Sequence, residues 1–411
     1  MRRVDVEAGA TLVTMRCRLL LVCMFALAAK ADETFLMQQA SGTSRNPAAA
    51  PMEMMMSMRG HWMLMFHGQA FINRANDSGP RGASKTFSTN WFMSSASRSL
   101  GGGTVMFRSM LSLEPATISD RKYPELFQTG ETAFGKSLID AQHPHDFFME
   151  LAAEYAHSIG RATSYVYLAP VGDPALGPVA FPHRDSAMEL PQAPISHHYL
   201  DSTHIAFNVV TAGVKTGAMT LEASAFHGRE PDEKRWNIDG GKIDSWSARV
   251  QLDPMRNLTL QVSKGRLNKP EVVEPGYAKR TTASASYVLS RWSSTIAWGE
   301  VYKEVHDRTL KAWLAETSLR LGARHHLTAR WESVDKDELF PHPILKTVPR
   351  PALPVRVFRV QATTVGYTFD VMRNLGAGAN VTSYHFPSIL QGFYGAHPHA
   401  VIAFLRARVG G

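Results

Sequence analysis

The feature that most constrains this chain is a two-residue alternation of apolar and polar side chains, renewed in short runs along most of its length. Period two belongs to a β-strand that meets an apolar medium on one face and a polar one on the other. In the run from His61, Trp62, Leu64, Phe66, Ala70 and Ile72 share one face, and His61, Met63, Met65, His67 and Gln69 fall on the other. Val105, Phe107, Leu111 and Leu113 stand against Arg108, and Trp246, Ala248, Val250 and Leu252 against Ser245, Ser247, Arg249 and Gln251. From Asp146, the oily set is Phe147, Met149, Leu151, Ala153 and Tyr155, opposite Asp146, Glu150 and Glu154. Two glutamates on one strand face require water or arginine beside them. About sixteen such runs can be drawn, each roughly the nine to eleven residues of a tilted membrane-crossing strand.

The connections alternate in length. Arg98 to Gly102, His157 to Ala162, Lys215 to Gly217, Asp253 to Asn257, Ser290-Arg291, Gly322 to Arg324 and Arg373-Asn374 are tight. Glu114 to Pro144, Val171 to Ser202, Gly228 to Asp244 and Lys336 to Val357 are long. This parity predicts an all-β fold, a transmembrane antiparallel β-barrel of about sixteen strands with long outer loops and short periplasmic turns. A barrel of that size is expected to leave an aqueous channel. The competing architecture is a soluble, secreted β-rich binding module, in which loop lengths carry no such parity.

Residues 1–31 read as a leader. From Met15, the expected true start, MRCRLLLVCMFALAAKADE has two arginines, an apolar run and an Ala29-Lys30-Ala31 cleavage site, the layout of a secretory signal peptide. Its dozen or so apolar residues are too few to span a bilayer as a helix. A polar, Met-rich and disordered segment is expected over 32–58, followed by the barrel over 59–411. Export and a barrel together predict the bacterial outer membrane, its lipid and the barrel-assembly machinery as surroundings. The C-terminus, Arg408-Val409-Gly410-Gly411, lacks a final aromatic residue, and Phe404 is the nearest one.

Composition narrows function by exclusion. The two cysteines, Cys17 and Cys23, both fall in the leader, which excludes a disulfide framework and a thiolate site downstream. The formal charge of +8 drops to about +5 without the leader, and no basic run carries interleaved aromatics, so nucleic acid is not an expected partner. No G-x-S-x-G, Walker loop, H-E-x-x-H or G-x-G-x-x-G is present, and no enzyme is expected.

The segments GHWMLMFHGQAF (60–71), DAQHPHDFFMELAAEYAH (140–157), LAPVGDPALGPVAFPHRDSAMELPQAPISHH (168–198) and FHGREPDEKRW (226–236) resemble those of an uncharacterised family of bacterial outer-membrane β-barrel, porin-like proteins. The resemblance covers most of the mature chain. It implies a barrel in the outer membrane and brings no substrate, cofactor or catalytic residue with it.

Two groups of residues are candidates for chemistry. Histidine concentrates in the long loops, with His143, His145 and Asp146 in QHPHD, His183 in FPHRD, and His197 and His198 in SHHYLDSTH. Loops of this kind are expected to fold inward and form a constriction, against a wall carrying Arg108, Glu150, Arg249 and Arg330. The spacing of His143, His145 and Asp146 also permits divalent coordination, given partners from another loop. Arg320, Arg359, Arg406 and Arg408, with Glu154, Glu222, Glu300, Glu316 and Glu332, extend the expected lumen face, where charges of both signs either line a water-filled channel or neutralise each other in ladders that hold a filled barrel closed. The second group is Met54, Met56, His61, Met63, Met65 and His67, whose thioethers and imidazoles suit copper or another soft transition metal. Methionine is also simply an adaptable hydrophobe there. The expected function is a porin-like channel or binding barrel for small polar solutes, as a monomer or homo-oligomer with no resident cofactor. The alternative is a copper-handling outer-membrane protein built on the Met/His segment.

Overall fold

The computed structural model describes residues 33–51, 54–272, 275–340 and 356–410. The leader, its cleavage site and the start at Met15 lie outside the described residues, as does most of the loop expected between Lys336 and Val357.

The chain runs through β1 (Met55–Arg59), β2 (Trp62–Asp77), β3 (Ser84–Leu100), β4 (Gly103–Leu111), β5 (Tyr123–Ala133) and β6 (Lys136–Gln142). It continues through β7 (Phe148–Ile159), β8 (Ala162–Gly172), β9 (Ala206–Thr216), β10 (Met219–His227), β11 (Ser245–Met255) and β12 (Leu258–Asn268). It ends with β13 (Tyr277–Leu289), β14 (Trp292–Lys303), β15 (Arg308–Leu321), β16 (His325–Lys336), β17 (Phe358–Met372), β18 (Leu375–His385) and β19 (His399–Val409).

Sixteen of these strands, β2 to β4 and β7 to β19, pair antiparallel in order and close on themselves where β19 meets β2, from Ala400↔Asp77 to Val409↔Gly68. Closure leaves the barrel with no edge to cover. Seven turns of two or three residues join the strands at one end, and the eight longer connections all lie at the other. The length parity in the sequence is therefore the barrel's two ends. β1 is a short arm that folds back onto the start of β2, and β5 and β6 form a hairpin inside the first long loop.

Burial is inverted relative to a water-soluble protein. Ile72, Ile296, Val365 and Leu405 are more than half exposed, and Phe66, Phe107, Trp246, Trp313 and Trp331 join them on the outside. Arg108, Glu150, Glu222, Arg249, Thr282, Glu316 and Arg330 are buried inside. An apolar belt around a polar interior is the arrangement a bilayer demands, because lipid cannot hydrogen-bond the wall and the interior can.

Three expectations need correcting within this frame. The β4–β7 register shifts at Met110, so Met149 leaves the oily outer face and packs inside with Met110, Trp91 and Phe207. Arg359 faces outward beside Asp335, because the inward set of β17 is Val360, Ala362 and Thr364. Glu300 likewise lies between the inward positions of β14 and approaches Lys311. Phe404 points inward, edge-on to Phe71 at 5.3 Å between ring centres, and Leu405 is its outward neighbour.

Candidate functional site

The wall presents three arginine–glutamate pairs on neighbouring strands. Arg108 donates through Nε and Nη2 to both oxygens of Glu150, each at 2.8 Å, and Tyr167 donates to the same carboxylate at 2.6 Å. Arg249 and Glu222 are directly opposite in register, with Nε 2.8 Å from Oε2. Arg330 and Glu316 are also opposite, at 3.0 Å. Alternation supplies this arrangement, since each pair falls on the inward parity of its two strands.

None of the three pairs simply lines water. The second long connection, residues 173–205, is buried along nearly its whole length and crosses the lumen. Its backbone N–H groups at Ala175 and Gly177 donate to Ser224 and Ser263 on β10 and β12. Its Arg184, fully buried, donates to Glu316 of β15 and to Asp201, both at 2.7 Å. Ser196 donates to Glu332 of β16, Gln192 accepts from Asn380 of β18, and Glu189 pairs with Arg406 and Arg408 of β19. A segment bonded to strands around most of the circumference can only lie across the interior. We call it the plug loop. Gly177 permits its sharp first bend, with φ of 93° and no space for a Cβ against the Leu200 carbonyl. Leu126 and Phe127 of the β5–β6 hairpin, with Ile195, Tyr199 and Leu200 of the plug loop, complete an apolar cluster against Leu314, Val334 and Val360 of the wall.

Residues 36–50 of the stretch expected to be disordered form a second insertion. Leu36 packs with Met106, Ala156 and Tyr165, and Gln39 donates to Glu154 at 2.9 Å. Ser41 donates to Asp173 of the plug loop at 2.8 Å, Arg249 donates to Thr43, and Arg108 to the Gly42 carbonyl. Arg45 reaches Thr220 and Asp253. Low hydrophobicity predicted disorder, but the small polar residues of this stretch are what a charged barrel interior can bond. Two inserted segments thus bond the charged groups of the wall inside the barrel.

The Met/His candidates divide. The arm pairs Met56 with Met65 and Met58 with Met63, yet Met56 and Met58 are exposed on it, and so is His61 at its turn. His67 Nε2 lies 3.0 Å from Met93 Sδ. With Met54, Met37, Trp91, His183 and Met188 it borders a cavity of about 440 Å³ at the short-turn end. Arg256, Arg291, Arg320 and Arg408 also open onto this cavity.

Five of the six loop candidates come together on the plug loop and the first long loop. His143 lies 5.9 Å from His198 between ring centres, and His197 lies 5.2 Å from both His198 and His204. His145 is 5.3 Å from His204 and 3.0 Å through Nδ1 from Glu114. Asp146 accepts from Arg235, which also pairs with Glu131. His183 stands apart, against Trp91 and 3.1 Å from Met110 Sδ, with Phe181 beside the other rings. Sequence reasoning missed Arg184, Glu189, Glu131, Glu230 and Glu271 as site residues. A signal existed for the first, since an arginine inside the proline-rich, weakly charged FPHRD loop needs a buried carboxylate.

The closed circle of sixteen strands decides the architecture. The chain has the fold of the bacterial porins. It is similar to an anion-selective porin from Comamonas acidovorans (12% identity, 84% of this chain and 99% of that one, TM-score 0.53). It is also similar to OmpF of Salmonella typhi (9%, 86% and 100%, 0.51) and to the outer-membrane channel DcaP of Acinetobacter baumannii (8%, 86% and 99%, 0.51). No profile of a known protein family matches the sequence, and no curated protein does. The porin fold agrees with the architecture that the family resemblance implied.

Proposed function

We propose that this protein is an outer-membrane barrel that admits or binds small polar solutes through a lumen governed by its plug loop. The observation that carries the reading is Arg184, held inside the barrel between Glu316 of the wall and Asp201 of the loop. The apolar belt supports residence in a bilayer and disfavours a soluble module. The cavity of about 440 Å³ has the size of a small-molecule site. Four arginines opening onto it against two acids, Asp185 and Glu189, favour solutes that carry negative charge. Passage then requires the plug loop to shift, because its polar bonds and the wall pairs occupy the same interior.

The test is solute-driven swelling of liposomes holding the folded protein. Ser186 Oγ of the plug loop lies 2.8 Å from Thr295 Oγ1 of β14, close enough for a disulfide in a Ser186→Cys, Thr295→Cys variant. The chain has no cysteine beyond Cys23 to compete. Swelling by small polar solutes is expected from the wild type, lost in the oxidised variant and restored by reductant. Swelling indifferent to the disulfide, or absent from folded wild type, contradicts the reading.

A further inference from the structure

We infer that His143, His197 and His198 bind one divalent transition-metal ion of the zinc type, which fastens the first long loop to the plug loop. Ring nitrogens of the three residues lie within 4.8 Å of one another, and all three side chains are at least nine-tenths buried. Metal–nitrogen bonds of roughly 2.0–2.1 Å draw such donors inward by about an ångström or so, a movement that side-chain rotation supplies.

Each ring is already oriented from its far side. His197 Nδ1 lies 2.8 Å from Asp201 Oδ1, and Asp201 is fixed in turn by Arg184. His143 Nδ1 lies 3.0 Å from the Pro144 carbonyl. His198 Nδ1 faces Glu271 at 3.3 Å and Glu230 at 3.6 Å. A carboxylate or carbonyl on one ring nitrogen, with the other nitrogen aimed at a common point, is how metal-binding histidines are held.

The second observation is an unspent donor. His198 Nε2 and Glu230 Oε2 are buried without a hydrogen-bond partner, and His143 Nε2 faces the Glu131 carboxylate. Buried polar atoms left in this state are costly, and a shared cation relieves several at once. Glu131 Oε1, 3.0 Å from His143 Nε2, is the nearest oxygen donor, and its other oxygen is held by Arg235. Imidazoles with carboxylates close by select zinc, nickel or copper(II) over magnesium or calcium, and no thiolate or thioether belongs to the group. The inference concerns two loops that pack face to face and stands independently of the channel reading.

The experiment is titration of chelator-treated, folded protein in detergent with Co²⁺, followed by its visible absorption, then displacement with Zn²⁺ counted per chain. One Co²⁺ per chain with the spectrum of a four-coordinate, histidine-bound ion is expected. His143→Ala and His198→Gln should each abolish stoichiometric uptake, while His385→Ala, exposed at the end of β18, should leave it unchanged. Heat-modifiable migration on an unboiled gel confirms that each variant is folded, and liposome swelling is measured separately. Folded wild type that takes up neither ion stoichiometrically, or uptake that survives both loop variants, overturns the inference.

Discussion

Arg184 and Glu316 meet at 2.7 Å with neither side chain open to solvent, one on the loop that crosses the lumen and the other on the wall. Two charges so buried persist only because each also has a second partner, Asp201 for the arginine and Arg330 for the glutamate. The plug loop is therefore held by a four-residue ionic chain and not by apolar packing alone.

Breaking that chain at one member strands the others. Glu316→Ala is expected to destabilise the folded barrel by about 3–5 kcal/mol, since Arg184 and Arg330 lose a shared buried carboxylate. The check is the temperature at which the compact form on an unboiled gel converts to the unfolded one, which should fall clearly below that of the wild type.

The first bend of the plug loop is the second pressure point. Gly177→Ala introduces a Cβ against the Leu200 carbonyl at a residue with φ of 93°. Hydrogen exchange should show lost protection along residues 175–200, with the barrel strands unchanged. Equal protection in both proteins contradicts the role assigned to the bend.

Docking of the N-terminal insertion should depend on pH. Burial pushes the Asp173 carboxyl from its ordinary 3.8 up to about 8, against the opposing pull of Arg249 and the Ser41 hydroxyl, with Glu150 and Asp201 adding to the rise. Between those values the folded protein holds a proton that the unfolded chain has released, so this contribution to stability is full below about pH 4 and is lost as pH rises towards 8. Proteolytic nicking within residues 36–50 should be faster at pH 9 than at pH 5, and Asp173→Asn should flatten the difference.

The outer belt gives a prediction for the lipid-facing side of the wall. Ile72 and Leu405 are opposite each other in register and more than half exposed. Ile72→Lys should cost about 2–4 kcal/mol if the position lies near the bilayer midplane. Refolding yields into lipid vesicles check this, and a neutral effect contradicts the membrane-facing assignment.

The strand count, the closure and the two kinds of connection were legible because alternation reports only what lies on either side of a wall, which is local information. Trp246 and Arg249 sort to outside and inside from four residues of sequence. Arg359 and Glu300 were misplaced where charge outweighed parity. The content of the lumen was not legible. Segment 36–50 reads as disordered because its stabilising partners, Arg108, Glu222 and Arg249, are distant in sequence and become neighbours only once the barrel closes. His143 and His197 belong to separate loops for the same reason, so the donors of each could be read but not their meeting.

Single-channel recording in planar bilayers tests the central claim most directly, that a plug loop spans a porin-type barrel and governs its interior. Folded wild type is predicted to show small, interrupted openings, far below the conductance of a water-filled barrel of sixteen strands, with Glu316→Ala raising both their size and their frequency. A steady, large conductance from the wild type, unchanged by that substitution, would contradict the account.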